Sequence, residues 1–284
     1  MKVGIIANPN KNGVKKTIRK LCEALERENI TPVLEVTTAR LVKAENGVDA
    51  PQLAECCDVI AVLGGDGTML NAANQLGPAA VPVAGINVGT LGFLTTCTDN
   101  ELDVFAKAVA NEDYTLIKRM QLRATITSTD GKKRSFRALN EVTLARGQTG
   151  RLVELDAWVD GELLNHYRAD GLIVATTTGS TAYSLSAGGP LIAPKAEVFV
   201  ITPICPHSLS NRSLVVSDNS IVELAPAENA ECPMFLTVDG RDVMAIEQGD
   251  RICVEQAGHA LPLLRLEGRN FYATLRQKLG WGRD

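Results

Sequence analysis

The chain has 284 residues, 45% of them apolar, and a formal net charge of −4. That length can bury one large core or two modest ones, and the acidic balance excludes a protein whose main partner is nucleic acid or an anionic membrane. Seven cysteines without a C-x-x-C pair fit reduced thiols rather than a disulfide framework or zinc site, and no leader or membrane-span pattern is seen, so a soluble, cytoplasmic protein is expected.

Lys2 to Ala7 reads as a short apolar strand ending at Asn8-Pro9-Asn10. Val14, Ile18, Leu21 and Leu25 then recur at helical spacing, and Lys11, Lys15, Lys16, Arg19 and Lys20 read as the solvated face of that segment. A second strand is predicted from Val33 to Val36, after Pro32. Asp58 to Leu63 is a run rich in Val and Ile that reads as a buried strand. The turn Gly64-Gly65-Asp66-Gly67-Thr68 follows at once, and a helix is predicted from Met69 to Leu76, stopped by Gly77-Pro78. Val81 to Ile86 is another buried strand, with the glycine-bearing loop Asn87-Val88-Gly89-Thr90-Leu91-Gly92-Phe93 beyond it. Thr98 and Glu101 have capping-box spacing for a helix in which Leu102, Phe105 and Val109 face inward. This half reads as a doubly wound α/β domain whose two glycine loops flank one crevice.

Past about Tyr114 the apolar period changes to two. Arg123 to Thr129 and Arg134 to Leu139 flank Asp130-Gly131, Val153 to Val159 and Glu162 to Tyr167 flank Asp160-Gly161, and Met234 to Val238 and Arg241 to Ile246 flank Asp239-Gly240. Asp-Gly between alternating runs is a hairpin signal, so the second domain is predicted to be antiparallel and all-β. Phe271, Leu275 and Leu279 predict a last helix, and the pattern leaves open whether it returns to the first domain. The expected division is an α/β domain over 1–114, a β-rich domain over 115–266 and a helix over 267–284.

The first chemical candidate is the glycine turn. Three glycines in four residues let a backbone approach a ligand and free N–H groups for anionic oxygens near a helix start. Asp66 is the exception inside it: it either caps the following helix or meets a metal or accepts a proton from an attacking hydroxyl. A second candidate is Asp170 to Pro190, where a strand from Leu172 to Ala175 leads into Thr176, Thr177, Thr178, Ser180, Thr181 and Tyr183. Such a segment is either an ordinary hydroxyl-rich loop or a set of hydrogen-bonding groups for a ribose, an amide or phosphate oxygens. Asn140-Glu141, after a hairpin strand, carries little signal alone. His166, His207 and His259 are too scattered to suggest a metal cluster, and no Walker lysine motif or G-x-G-x-x-G strand-to-helix turn is present.

Taken in series, Gly64-Gly65-Asp66-Gly67-Thr68, Asn140-Glu141 and Thr178-Gly179-Ser180-Thr181-Ala182-Tyr183-Ser184-Leu185-Ser186-Ala187-Gly188-Gly189-Pro190 resemble the NAD kinase family, and the likeness extends to Asn87–Leu94 and His207–Arg212. Thr177 departs from it, standing where the family usually has proline. The resemblance implies transfer of the γ-phosphoryl of ATP to the 2′-hydroxyl of the adenosine ribose of NAD, giving NADP. It makes Asp66 the base, with Gly67 beside it, and assigns phosphate binding to Gly64, Gly65, Gly67 and Thr68. It assigns the dinucleotide to Asn140, Glu141, Asp170, Thr181, Ala182, Tyr183, Ser184, Leu185 and Ser186, with Arg151, Arg168 and Arg241 at variable contact positions and Leu91 and Phe93 lining the pocket. It also implies a divalent metal, most simply Mg²⁺, with no side-chain cluster of its own, and a homo-oligomer, dimer or tetramer. Two other readings share these motifs: a lipid or sugar kinase using the same glycine-aspartate turn, and a nonenzymatic NAD-binding sensor.

Overall fold

A computed structural model describes residues 1–78, 80–89, 92–148, 150–228, 230, 232–268 and 270–281. The chain divides into two compact units, Met1–Arg119 together with the chain from Leu261 onward, and Met120–Ala260.

The first unit runs β1 (Lys2–Ala7), α1 (Val14–Arg27), β2 (Thr31–Leu34), α2 (Val36–Val42), α3 (Ala50–Cys56), β3 (Val59–Leu63), α4 (Asp66–Leu76), β4 (Val83–Asn87), β5 (Cys97–Thr98) and α5 (Leu102–Ala110). Its parallel sheet has the order β4-β3-β1-β2, with Val3 opposite Val59 and Ile60 opposite Val83. Every residue of β3 and β4 is buried, as expected where helices cover both faces. On one face Ile5, Ala61 and Ile86 pack against Ile18, Leu21 and Leu25 of α1 and Leu102, Phe105 and Val109 of α5. Fully burying a Leu or Ile side chain contributes about 1.5–3 kcal/mol, so the inward stripe of α1 fixes the helix. Its lysines at 15, 16 and 20 and Arg19 are exposed, the solvated face read from the sequence. On the other face an added Cβ at Gly4 would lie 2.6 Å from Ile60 Cδ1 and 3.3 Å from Leu53 of α3.

Three local expectations change. The second strand ends at Leu34, and Val36, expected in it, opens α2, because Glu35 caps that helix by accepting the Thr38 N–H at 2.9 Å. α3, which the sequence reading left out, is capped by Asp49, whose carboxylate accepts the Gln52 N–H at 2.9 Å. The helix after the glycine turn begins at Asp66 rather than Met69, so the turn's last three residues are its first helical residues.

The chain enters the second unit within β6 (Thr115–Thr127) and continues through β7 (Lys133–Ala138), β8 (Glu141–Arg146), β9 (Val153–Val159), β10 (Glu162–Ala169), β11 (Gly171–Ala175), the short α6 (Tyr183–Ser186), β12 (Val198–Ile204), β13 (Leu214–Ser217), β14 (Val222–Pro226), β15 (Met234–Val238) and β16 (Arg241–Ile246). It leaves within β17 (Arg251–Arg265), and α7 (Phe271–Leu279) follows in the first unit. One antiparallel sheet has the order β13-β12-β11-β8-β15-β16, and β10-β9-β14-β17 form a second antiparallel layer. Val142, Leu144, Leu172 and Leu236 of the first layer share a core with Leu155, Leu224 and Val254 of the second, a sandwich of inward-facing residues. Asp160-Gly161 and Asp239-Gly240 have positive φ at both residues, 53° and 82°, 50° and 71°, the values a two-residue type I′ hairpin requires. Around Asp130-Gly131 only Gly131 has positive φ, and the strands stop short, leaving the loop Ser128–Lys132.

Candidate functional site

In the first unit, β3 delivers the glycine turn to the sheet's carboxyl edge. Gly64 is required by space: an added Cβ would lie 2.2 Å from Thr68 Oγ1. Gly65 is the N-cap of α4 and offers no side chain to its N–H groups, which stay available to an anionic ligand. Asp66 stands at the first helical position and does not cap the helix. Its Oδ2 accepts the Phe93 N–H and its Oδ1 the Leu94 N–H, each at 3.0 Å. Glycine at 92 permits this approach, since a Cβ there would fall 2.3 Å from Asp66 Oδ1. The two glycine loops therefore meet through one carboxylate, each oxygen keeping a lone pair free to accept a proton. The Phe93 ring lies 6.2 Å from that of Phe271 in α7. Leu91 lies outside the described residues.

A cleft of about 580 Å³ opens in this unit between the turn after β1 and the glycine turn. Asn8, Asn10, Lys11, Gly65, Gly67 and Thr68 are among its lining residues. It sits at the carboxyl ends of β1 and β3, where the strand order reverses, the usual ligand position in an open α/β sheet. Lys11 is the one cation among the described lining residues, and the one acid, Glu35, is spent on capping α2.

In the second unit three segments far apart in sequence form one hydrogen-bonded assembly. Asp239 accepts the N–H groups of Leu139 at 2.9 Å, Asn140 at 2.8 Å and Glu141 at 3.2 Å. Thr176 grips the same stretch by its carbonyls, donating Oγ1–H to Leu139 O at 2.6 Å and N–H to Asn140 O at 2.8 Å. Gly179 lies so close that a Cβ would be 2.2 Å from Asn140 O. Asn140 and Glu141 are buried, and Glu141 Oε2 has no partner, nor has the buried hydroxyl of Thr178. Burial, and then the charge of Asp239, pushes the Glu141 carboxyl up to about 7. Asp239 is itself raised by burial, against the three N–H groups that favour its charged form.

Thr181 and Ala182 are half-buried, and Tyr183 and Ser186 are exposed on the loop that leaves Thr176. Burial is the first of the causes that raise the Tyr183 phenol above its ordinary range. The Ser184 hydroxyl points away, buried against Thr202 Oγ1 of β12 at 3.0 Å, and Leu185 is half-buried beside it. Asp170 accepts from Arg146 Nε at 2.6 Å. Arg168 is exposed and pairs with Glu154 across the β9–β10 hairpin at 3.5 Å, Arg151 lies on the exposed approach to β9, and Arg241 opens β16 next to the Asp239-Gly240 turn. Of the residues that hold this assembly, Thr176 stood in the hydroxyl-rich candidate segment, whereas Asp239 was not legible as a site residue. Asp239-Gly240 announced a turn, and nothing in its spacing announced what its carboxylate would hold. Among the described residues no group of three or more His, Cys, Asp or Glu stands close enough to hold a metal.

A model described as the ATP-NAD kinase N-terminal domain matches residues 3–114, and one described as the ATP-NAD kinase C-terminal domain matches residues 139–266. The chain is 41% identical over 285 aligned residues to an NAD kinase of Chlorobium luteolum, covering 100% of this chain and 98% of the relative. It is 38% identical to an NAD kinase of Natranaerobius thermophilus, with 99% of each chain covered. Among solved structures it resembles yeast NADH kinase complexed with NADH, with a TM-score of 0.92 and 26% identity over 100% of this chain and 89% of that one. It also resembles an NAD kinase from Archaeoglobus fulgidus in complex with ATP, with a TM-score of 0.75 and 26% identity over 99% of each chain.

Proposed function

This chain belongs to the NAD kinase family, and from that premise we propose the roles its residues take in the family's reaction. The enzyme transfers the γ-phosphoryl group of ATP to the 2′-hydroxyl of the adenosine ribose of NAD, giving NADP. A lipid or sugar kinase sharing the glycine-aspartate turn is not favoured, since both family models match and the full-length relatives are NAD kinases.

In our reading Asp66 is the base. The observation that carries it is the carboxylate held by the Phe93 and Leu94 N–H groups, fixed in place while each oxygen keeps a lone pair. The ribose hydroxyl gives its proton to Asp66 as its oxygen bonds to the γ-phosphorus and the bond from that phosphorus to the bridging oxygen of ADP breaks. A positioned base of this kind contributes about a hundredfold to ten-thousandfold. The donor's phosphates lie in the cleft after β1 and β3, against the open N–H groups at Gly65 and Gly67, with Thr68 and Lys11 beside them and Gly64 shaping the turn. The arrangement neutralises charge without a Walker lysine. Asn140, Glu141, Asp170, Thr181, Ala182, Tyr183 and Ser186 bind the dinucleotide, with Phe93, Leu91, Arg151, Arg168 and Arg241 as further contacts; Ser184 and Leu185 support the loop.

A divalent ion bound with the donor would neutralise charge on its phosphates, beside the N–H groups at Gly65 and Gly67 and the Lys11 ammonium. The family resemblance supports a homo-oligomer, dimer or tetramer, as does the apolar exposure of Leu214 and Val215 on the edge strand β13. All seven cysteines are free thiols, which fits a cytoplasmic setting, and no helix among the described residues is long and apolar enough to cross a membrane.

The test is Asp66→Asn, assayed with NAD, ATP and Mg²⁺ through an NADP-dependent dehydrogenase. Turnover should fall by about a hundredfold or more while NAD binding by calorimetry persists. Near-native turnover would remove the base from this account.

A further inference from the structure

We propose that Asp239, on the turn between β15 and β16, is a positioning residue for the dinucleotide site that fixes the backbone of Asn140 and Glu141. The inference rests on the assignment of Asn140 and Glu141 to the dinucleotide.

Three consecutive N–H groups, of Leu139, Asn140 and Glu141, converge on one carboxylate at 2.9, 2.8 and 3.2 Å. The Asp239 N–H returns the contact, donating to Glu141 O at 3.0 Å. A hairpin needs none of this: its type I′ turn is already satisfied by the positive φ of Asp239 and Gly240. The carboxylate instead fixes the point where β8 begins, so that Asn140 and Glu141 keep one orientation before any ligand arrives.

Two acids also stand together here, the buried Glu141 and the partly buried Asp239, whose carboxylate accepts the Glu141 N–H. Asp239 has three N–H donors, and Glu141 Oε2 has none. When like charges share a buried site, the better-solvated group keeps the charge and the other keeps the proton. Glu141, raised to about 7, thus keeps a large share of its proton near neutrality, and its buried Oε2 has no partner within the protein. Of the groups around it, Asp239 acts on Glu141, Arg241 acts on Asp239, and Tyr183 feels Glu141's charge.

Asp239→Asn separates charge from turn geometry, because Asn-Gly is itself a preferred type I′ pair and the hairpin is retained. The amide oxygen still accepts two N–H groups, while its NH₂ faces the third, leaving a buried donor unmet. NAD affinity, measured by calorimetry from about pH 5 to about pH 9, should weaken about five- to a hundredfold, with KM for ATP unchanged. The midpoint of its pH dependence should also move to lower pH, since the Asp239 charge that adds to burial in raising Glu141 is gone. Glu141→Gln should abolish that midpoint. Unaltered NAD affinity in Asp239→Asn, weaker binding with an unmoved midpoint, or a midpoint that survives in Glu141→Gln would each overturn the proposal. Wild-type protein that binds no NAD at any pH would instead overturn the site assignment and the proposal with it.

Discussion

Glu141 shows what a buried acid costs when its second oxygen lacks a partner. Folding lifts its carboxyl from an ordinary 4.5 to about 7, mainly by burial. Between those values the folded chain holds a proton that the unfolded chain has released. Stability therefore falls as pH rises through that window, by roughly 3 kcal/mol in all. Glu141→Gln removes the slope, so the variant should be more stable than wild type above pH 7 by about that amount, with the advantage gone below pH 4.5. Urea unfolding at the two ends of the window measures it, and parallel stability curves for the two proteins would refute the assignment of the proton. Gly92 is a second position where a single atom decides. A methyl group there would meet Asp66 Oδ1 at 2.3 Å and must push the carboxylate or the loop aside. Displacement of a catalytic group by about 1 Å costs on the order of a hundredfold in rate. Gly92→Ala should therefore lose kcat while NAD affinity stays near wild type, and unchanged kcat would mean that Asp66 needs no such placement.

α7 reaches the proposed base through one ring. Phe271 packs on Phe93, whose N–H donates to Asp66, so a helix at the end of the sequence supports a loop near residue 90. Ring pairs of this kind contribute about 0.5–1.5 kcal/mol. Phe271→Ala should loosen the loop and lower kcat severalfold, and Phe271→Leu should recover part of it; a kcat indifferent to both would detach α7 from the site. The periodicity of Phe271, Leu275 and Leu279 made this helix legible, but not what its first ring would touch. The same limit runs through the fold. α1 could be read because burial on one face imposes a period, β3 because burial on both faces makes an unbroken apolar run, and the Asp160-Gly161 and Asp239-Gly240 hairpins because a type I′ turn demands particular residues. α2 and α3 could not, since each has seven residues and is held by one capping carboxylate, Glu35 or Asp49, more than by an apolar stripe. The start of α4 was misplaced for a related reason: Gly65 and Gly67 read as turn residues, and only the structure shows helical geometry already under way at Asp66. The motifs of the site were legible as chemistry, whereas their mutual support through Asp239 and Thr176 was not, because hydrogen bonds to Leu139 spanning 100 residues from Asp239 and 37 from Thr176 leave no local spacing to read.

Across the whole molecule the proposed donor and acceptor groups belong to different compact units, each with its own core. Asn8, Lys11, Gly65 and Gly67 lie in the first, Asn140, Glu141, Thr181 and Asp239 in the second. A ligand stabilises only what it binds, and a hundredfold excess over its dissociation constant contributes about 2.7 kcal/mol. Hydrogen exchange should accordingly separate the two substrates. A nonhydrolysable ATP analogue with Mg²⁺ should slow exchange over residues 8–11 and 64–71. NAD alone should slow it over 139–141, 176–186 and 239–241, where the backbone already donates to Asp239 and accepts from Thr176. Protection should follow the local opening free energy of each unit, since exchange reports sub-global opening and not only complete unfolding. If the ATP analogue alone protected the second unit's segments as strongly as NAD does, the division of labour proposed here would be wrong, and the cleft after β1 would have to be reassigned.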